Sequence, residues 1–136
     1  MTTAFATPRT AASGTAVLRI SLGVLFLVHG LTKLVVFTPA GTVGYFQSLG
    51  LPAALAYVSM TLELGLGVSL LRGIYARWVA LLGVPLLLGM IVTVHGANGF
   101  GFSNPGGGWE YPALWAVLLI VQALLGEGAW ALKPAR

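Results

Sequence analysis

The sequence predicts an all-α integral membrane protein: a bundle of four transmembrane helices with both termini in the cytoplasm. Three observations carry this. Of 136 residues, 57% are hydrophobic and 7% charged, where a soluble domain carries about 25% charged residues. The apolar residues gather into four runs of roughly 20, each long enough to cross a ~30 Å hydrocarbon layer at 1.5 Å per residue. The basic residues lie mainly at one end of these runs. No soluble core this small could hide so much apolar surface, and backbone groups in lipid must bond internally, so each run reads as a helix.

Residues 1–15 are small and polar, with Pro8 and Arg9 among them, and read as a flexible N-terminal tail. A cleaved signal peptide with Arg9 and Arg19 as its basic region is the rival reading. The apolar run after Arg19 exceeds the roughly 7–15 residues of a signal core, so an uncleaved anchor is expected. Residues 16–132 then form one four-helix domain. The first helix covers residues 16–37 and contains Val28-His29-Gly30-Leu31-Thr32-Lys33. Its histidine and lysine, four apart, share one face. The second covers 51–71, with Pro52 in its first turn, where proline's missing donor is not needed. The third covers 76–96, and Pro85 should bend it by removing a backbone bond. The fourth covers 111–132, and residues 133–136 form a short tail. Gly23, Gly30, Gly65, Gly67, Gly83 and Gly89 should let helices approach closely.

Charge orients the bundle. Arg9 and Arg19 stand before or at the start of the first helix, Arg72 and Arg77 in the short second loop, and Lys133 and Arg136 after the fourth helix. The first loop has no charge and the third only Glu110. Positive-inside counting places both termini and the second loop in the cytoplasm. Trp78 and Trp130 then fall at the inner interface, and Trp109 and Tyr111 at the outer one. The halves are weakly alike: His29-Gly30 and His95-Gly96 each lead through an outer loop to a proline in the next helix, Pro52 or Pro112, as two copies of one hairpin would.

Several functions are excluded at this level. The net charge of +4 forms no basic patch, so no nucleic-acid partner is expected. The absence of cysteine excludes disulfides, thiol redox chemistry, cysteine-ligated iron–sulfur clusters and c-type haem attachment within the chain. Gly106-Gly107-Gly108 lacks the strand and lysine of a phosphate loop.

What remains is a set of polar side chains at costly depth. A centred charge costs about 2.5–3.5 kcal/mol by insertion scales, so such groups should face partners and mark function. Helix rise places Glu63 roughly 18 Å and Gln122 about 17 Å below the outer surface, His29 about 13 Å, Lys33 about 6 Å and His95 within about 5 Å. Stripes through Gly23, Phe26, His29 and Lys33, through Ser59 and Glu63, and through Tyr111, Trp115 and Gln122 would enclose one polar pocket opening outward. Each residue also has a plainer reading. Glu63 with Lys33 or His29 is also an ordinary structural ion pair, and Lys33 can snorkel to headgroups. Glu110 suits a helix start, and Gln122 suits interhelical bonding. His29, Glu63 and His95 are a candidate two-histidine, one-carboxylate site. The histidines differ by roughly 8 Å in depth, so neither metal nor haem is predicted.

The residues together resemble one family. Arg19, Gly23, Phe26 and His29-Gly30-Leu31-Thr32-Lys33, then Glu63 with Gly65 and Gly67, then His95 with Gly99-Phe100 and Glu110-Tyr111-Pro112, are similar to DoxX family membrane proteins over about residues 16–132. The family's closing Ser-Leu-Asp-like sequence is replaced by Leu125-Gly126-Glu127-Gly128-Ala129-Trp130. The resemblance implies a multi-pass protein of the cytoplasmic (inner) membrane, with relatives that include the membrane subunit of thiosulfate:quinone oxidoreductase. The expectation is therefore a quinone-linked oxidoreductase subunit. Glu63 and His29 would handle protons, and His29, Lys33, Glu63, His95, Tyr111, Trp115 and Gln122 would contact quinone as ligand. A protein partner would supply electrons, and helices this few often assemble into homo-oligomers. The alternatives are a non-catalytic membrane anchor of a larger complex and a small transporter. The scarcity of polar groups in the inner half speaks against the transporter.

Overall fold

The computed structural model describes residues 8–134, and every described element is helical. Helix α1 spans Pro8–Leu31 and runs on into a π-helical segment, Thr32–Val36. A shorter α2, Thr38–Ser48, follows. Helix α3 spans Ala53–Arg72, and α4 spans Ala76–Met90. The latter continues through a second π-helical segment, Ile91–His95, and a 3-10 turn, Gly96–Asn98. Helix α5 spans Glu110–Leu125. Three stretches are long and apolar enough to cross a membrane: Pro8–Val36, Ala53–Arg72 and Ala76–Asn98. With 16 residues, α5 is apolar but shorter, reaching roughly 24 Å.

Three boundaries differ from those the sequence suggests. Residues 8–15, expected as part of a flexible tail, form the first turns of α1; residues 1–7 lie outside the described residues. The reason is tertiary: Ala12 O accepts a bond from Ala129 N at 3.0 Å, so this end of the helix is packed against the far end of the chain. The expected first loop contains α2, begun by a proline at its N-terminal turn, where proline's fixed φ suits a helix. The fourth helix stops at Leu125 rather than 132. Gly126 takes φ 86° and Gly128 φ 72°, a region an L side chain resists.

Neighbouring helices form a ring: α1 packs on α3, α3 on α4, α4 on α5 and α5 on α1. The tightest pairs are the two sequence hairpins, α1 with α3 and α4 with α5. At the α1–α3 crossing the backbones nearly touch. A Cβ on Gly23 would lie 2.9 Å from Leu71 N and 3.0 Å from Gly67 O, and one on Gly67 would lie 2.9 Å from Leu27 N and 3.0 Å from Gly23 O. Gly65 and Gly89, expected to serve likewise, have nothing within 4 Å of such an atom. The interior is filled by Leu22, Phe26, Leu66, Leu70, Leu87, Trp115 and Leu119. Outward faces are apolar too, with Val17, Val24, Val58, Leu82, Val117 and Leu124 all exposed. A solvated protein rarely shows so much apolar surface; a bilayer would cover it.

Arg19 locks one end of the molecule. It is 1% exposed, and its guanidinium donates to Glu127 O at 3.0 Å and Ala129 O at 3.1 Å. These bonds hold the chain after α5 across the foot of α1. The same segment is laced to the α3–α4 turn by Leu132 N to Arg72 O, Lys133 N to Gly73 O and Tyr75 N to Lys133 O.

Candidate functional site

The opposite end is open. Where α1 and α4 loosen into their π-helical segments, a cavity of about 830 Å³ lies between them, α2, the first half of α3 and the start of α5. π-bulges inside helices occur frequently at functional sites, and here both border the same space.

Lys33 sits in the first π-helical segment and reaches α3. Its Nζ donates to both carboxylate oxygens of Glu63, at 2.5 and 2.7 Å. Glu63 is 1% exposed and Lys33 13%. The pair is asymmetric: Lys33 contributes to the cavity wall, whereas Glu63 is shut behind it and does not. Ser59, one turn along α3 from Glu63, does line the cavity. The expected meeting of Lys33 with Glu63 therefore occurs, as a bidentate pair whose lysine borders the cavity and whose carboxylate is enclosed behind it.

One turn before Lys33, His29 lines the cavity. Its Nδ1 lies 2.8 Å from Leu25 O. A carbonyl only accepts, so Nδ1 carries the proton and the neutral ring's Nε2 is an acceptor. The imidazole stands against two aromatic rings of α5, Trp115 at 4.9 Å between centroids and Tyr111 at 6.3 Å. Trp115 in turn leans on Phe26 at 4.7 Å. Tyr111 and Trp115 thus form an aromatic wall continuous with His29 and backed by Phe26. His95, at the end of the second π-helical segment, lines the same cavity and donates from Nδ1 to Gly107 O at 2.9 Å.

Gln122 stands apart from this group. It is fully buried, and its amide donates to Gly126 O at 2.7 Å, bonding its own helix end. It is not on the cavity wall: α5 carries it toward the Arg19 end. Counted from the start of α5, helix rise still puts it level with Glu63, but the cavity wall reaches only as far as Ser59 on α3 and Trp115 on α5. Glu110 accepts from Phe102 N at 3.1 Å and organises the loop before α5. Among the described residues, no group of three His, Asp or Glu side chains is close enough to hold a metal ion.

One wall was not visible as a site element in the sequence. Helix α2 contributes Gly41, Thr42, Tyr45 and Phe46. Thr42 is buried and its hydroxyl donates to Lys33 O at 3.0 Å, tying α2 to the π-helical segment that carries the lysine. Pro39, at the start of α2, was the available signal.

The DoxX family model matches residues 14–96, which include His29, Lys33, Glu63 and His95. The chain belongs to the DoxX family. It is also 37% identical over 121 residues to the Bacillus subtilis (strain 168) protein named "Putative oxidoreductase CatD", covering 89% of this chain and 85% of that one. No solved structure matches the chain. As a DoxX protein with three long apolar helices, it is a multi-pass membrane protein. The matched stretch ends before α5, so Tyr111 and Trp115 join the site through the fold.

Proposed function

We propose that this DoxX protein is the membrane subunit of a quinone-linked oxidoreductase, with the cavity receiving a quinone head group. In this reading α1, α3, α4 and α5 are four spans of a bundle in the cytoplasmic membrane. Both termini lie in the cytoplasm, and the cavity opens on the other side. The similarity to a protein named as an oxidoreductase supports the reaction class.

The observation that carries the reading is the joining, in one cavity, of an aromatic wall to acid–base groups. A flat ring fits against Tyr111 and Trp115. Reducing a quinone takes two electrons and two protons and yields a quinol. Positioned acid–base groups typically contribute 10²–10⁴-fold to such proton transfers. As the two electrons arrive, Lys33 would give one ligand oxygen its uncommitted proton and His29 would relay a second proton from outer water through Nε2 to the other, with Lys33 replenished from the same water and its charge balanced by Glu63. A partner subunit would deliver the electrons. The test is quinone content after purification in mild detergent, together with quinone-dependent turnover. Expected are retained ubiquinone or menaquinone and a loss of turnover of at least about tenfold in Glu63→Gln. No retained quinone and unchanged turnover would overturn the proposal.

A second reading, a non-catalytic anchor, is favoured by one observation: both oxygens of Glu63 are already engaged by Lys33. It expects Glu63→Gln to lower stability or complex yield while leaving turnover intact.

A further inference from the structure

We propose that the cavity favours the reduced, hydroxyl-bearing form of its ring ligand, the quinol, over the quinone; this rests on the quinone reading above. The argument is a count of which hydrogen-bonding capacity along the wall is already spent.

The threonines spend their protons. Thr32 donates to Val28 O at 2.6 Å, Thr42 to Lys33 O at 3.0 Å and Thr93 to Gly89 O at 2.8 Å. All three line the cavity, and their hydroxyl oxygens can only accept from a ligand. Both histidines are committed the same way. Nδ1–H of His29 is spent on Leu25 O and that of His95 on Gly107 O, which leaves each neutral ring one lone pair, on Nε2. Among the described residues neither Nε2 has a partner. Lys33 has three protons, of which Glu63 takes two. The Trp115 indole N–H has no partner, but protein atoms cover it, so it is out of a ligand's reach. Ser59, Tyr45 and Tyr111 carry hydroxyls that turn either way.

The wall therefore offers five committed acceptors, the three threonine oxygens and two imidazole nitrogens, against one committed donor, the remaining Lys33 proton. A quinone brings two carbonyl oxygens, which only accept. A quinol brings two O–H groups, which donate to imidazole and can still accept from Lys33. Where the bound ring displaces water, an acceptor facing an acceptor leaves both unsatisfied, and that asymmetry outweighs the average value of a bond made.

One extra satisfied bond to imidazole corresponds to about tenfold tighter binding of quinol. By linkage, tenfold tighter binding of the reduced form raises the potential of the bound two-electron couple by about 30 mV. The bound quinone becomes a better electron acceptor, which places this chain at a quinone-reducing step.

The experiment uses the full chain in lipid nanodiscs, titrated anaerobically with a decyl-tailed benzoquinone and separately with its quinol, with binding read from tryptophan fluorescence. The expected result is a dissociation constant about tenfold lower for the quinol. His29→Phe, which keeps a ring but removes the acceptor, should reduce that ratio at least about threefold. Equal binding, or tighter binding of the quinone, overturns this inference and leaves the quinone site standing. Failure of both forms to bind the wild-type protein overturns the inference together with the quinone reading.

Discussion

Splitting the Lys33–Glu63 pair tests whether this end of the protein is held by electrostatics or only decorated by it. Glu63 is 1% exposed and Lys33 13%, so neither charge is well hydrated when its partner is removed. Deleting one member of a buried ion pair typically costs about 3–5 kcal/mol, whereas replacing both by apolar residues of similar size is often close to neutral. The two single substitutions should not be equal. After Glu63→Gln, the Lys33 ammonium sits on a long stem in a segment bordering the cavity and can turn outward, which lowers its cost to about 1–2 kcal/mol. After Lys33→Met, the Glu63 carboxylate has a short stem and a closed surrounding, so the cost approaches the full 3–5 kcal/mol or so. The double variant Lys33→Met/Glu63→Leu should lie within about 1 kcal/mol of wild type, giving a coupling energy of at least roughly 3 kcal/mol. The assay is unfolding in mixed detergent–SDS micelles followed by helical circular dichroism. Single variants indistinguishable from wild type, or a double variant worse than the sum of the singles, would refute this account of the pair.

Three further substitutions probe the packing. Arg19→Met removes the bonds to Glu127 O and Ala129 O and should cost about 2–4 kcal/mol; hydrogen exchange of amides 126–133 should quicken well before that of α3. Gly67→Leu places side-chain atoms where even a Cβ lies 2.8 Å from Leu27 and should collapse folded yield on size exclusion. Gly65→Ala, which meets nothing within 4 Å, should match or slightly exceed wild-type stability.

Residue chemistry made part of this legible from sequence. Lys33 and Glu63 announced themselves because ionisable groups in an apolar run are expensive and must find each other, and they do. His29, Tyr111 and Trp115 met for the same reason: helical spacing fixes which residues share a face, and the structure brings those faces together. Gln122 misled because helix rise gives a depth but not how far a cavity reaches, and this wall stops at Ser59 on α3 and Trp115 on α5. The first turns of α1 were missed because their helicity is not local; small polar residues read as a tail until Ala12 and Ala129 are seen to bond. Helix α2 was missed because a short, uncharged, glycine-containing stretch between spans looks like any loop, and what makes it structure is the tertiary bond from Thr42 to the lysine's own carbonyl.

The two ends of the molecule use their buried cations in opposite ways, and the difference bears on function. Arg19 spends both terminal nitrogens on backbone carbonyls, and its planar, permanently charged fork suits it to that fixed role. Lys33 sits instead in a π-helical segment, held by one side chain from α3 and one hydroxyl from α2. An ammonium can shed its proton or swing on its stem, as a guanidinium cannot. A cation meant only to brace the fold would be better placed as Arg19 is, fully enclosed and bonded to main chain. Lys33 is instead the partly exposed member of its pair, on the wall of the cavity and beside an imidazole with an unspent nitrogen, the placement that the proposed quinone site needs in a group that exchanges protons with its ligand.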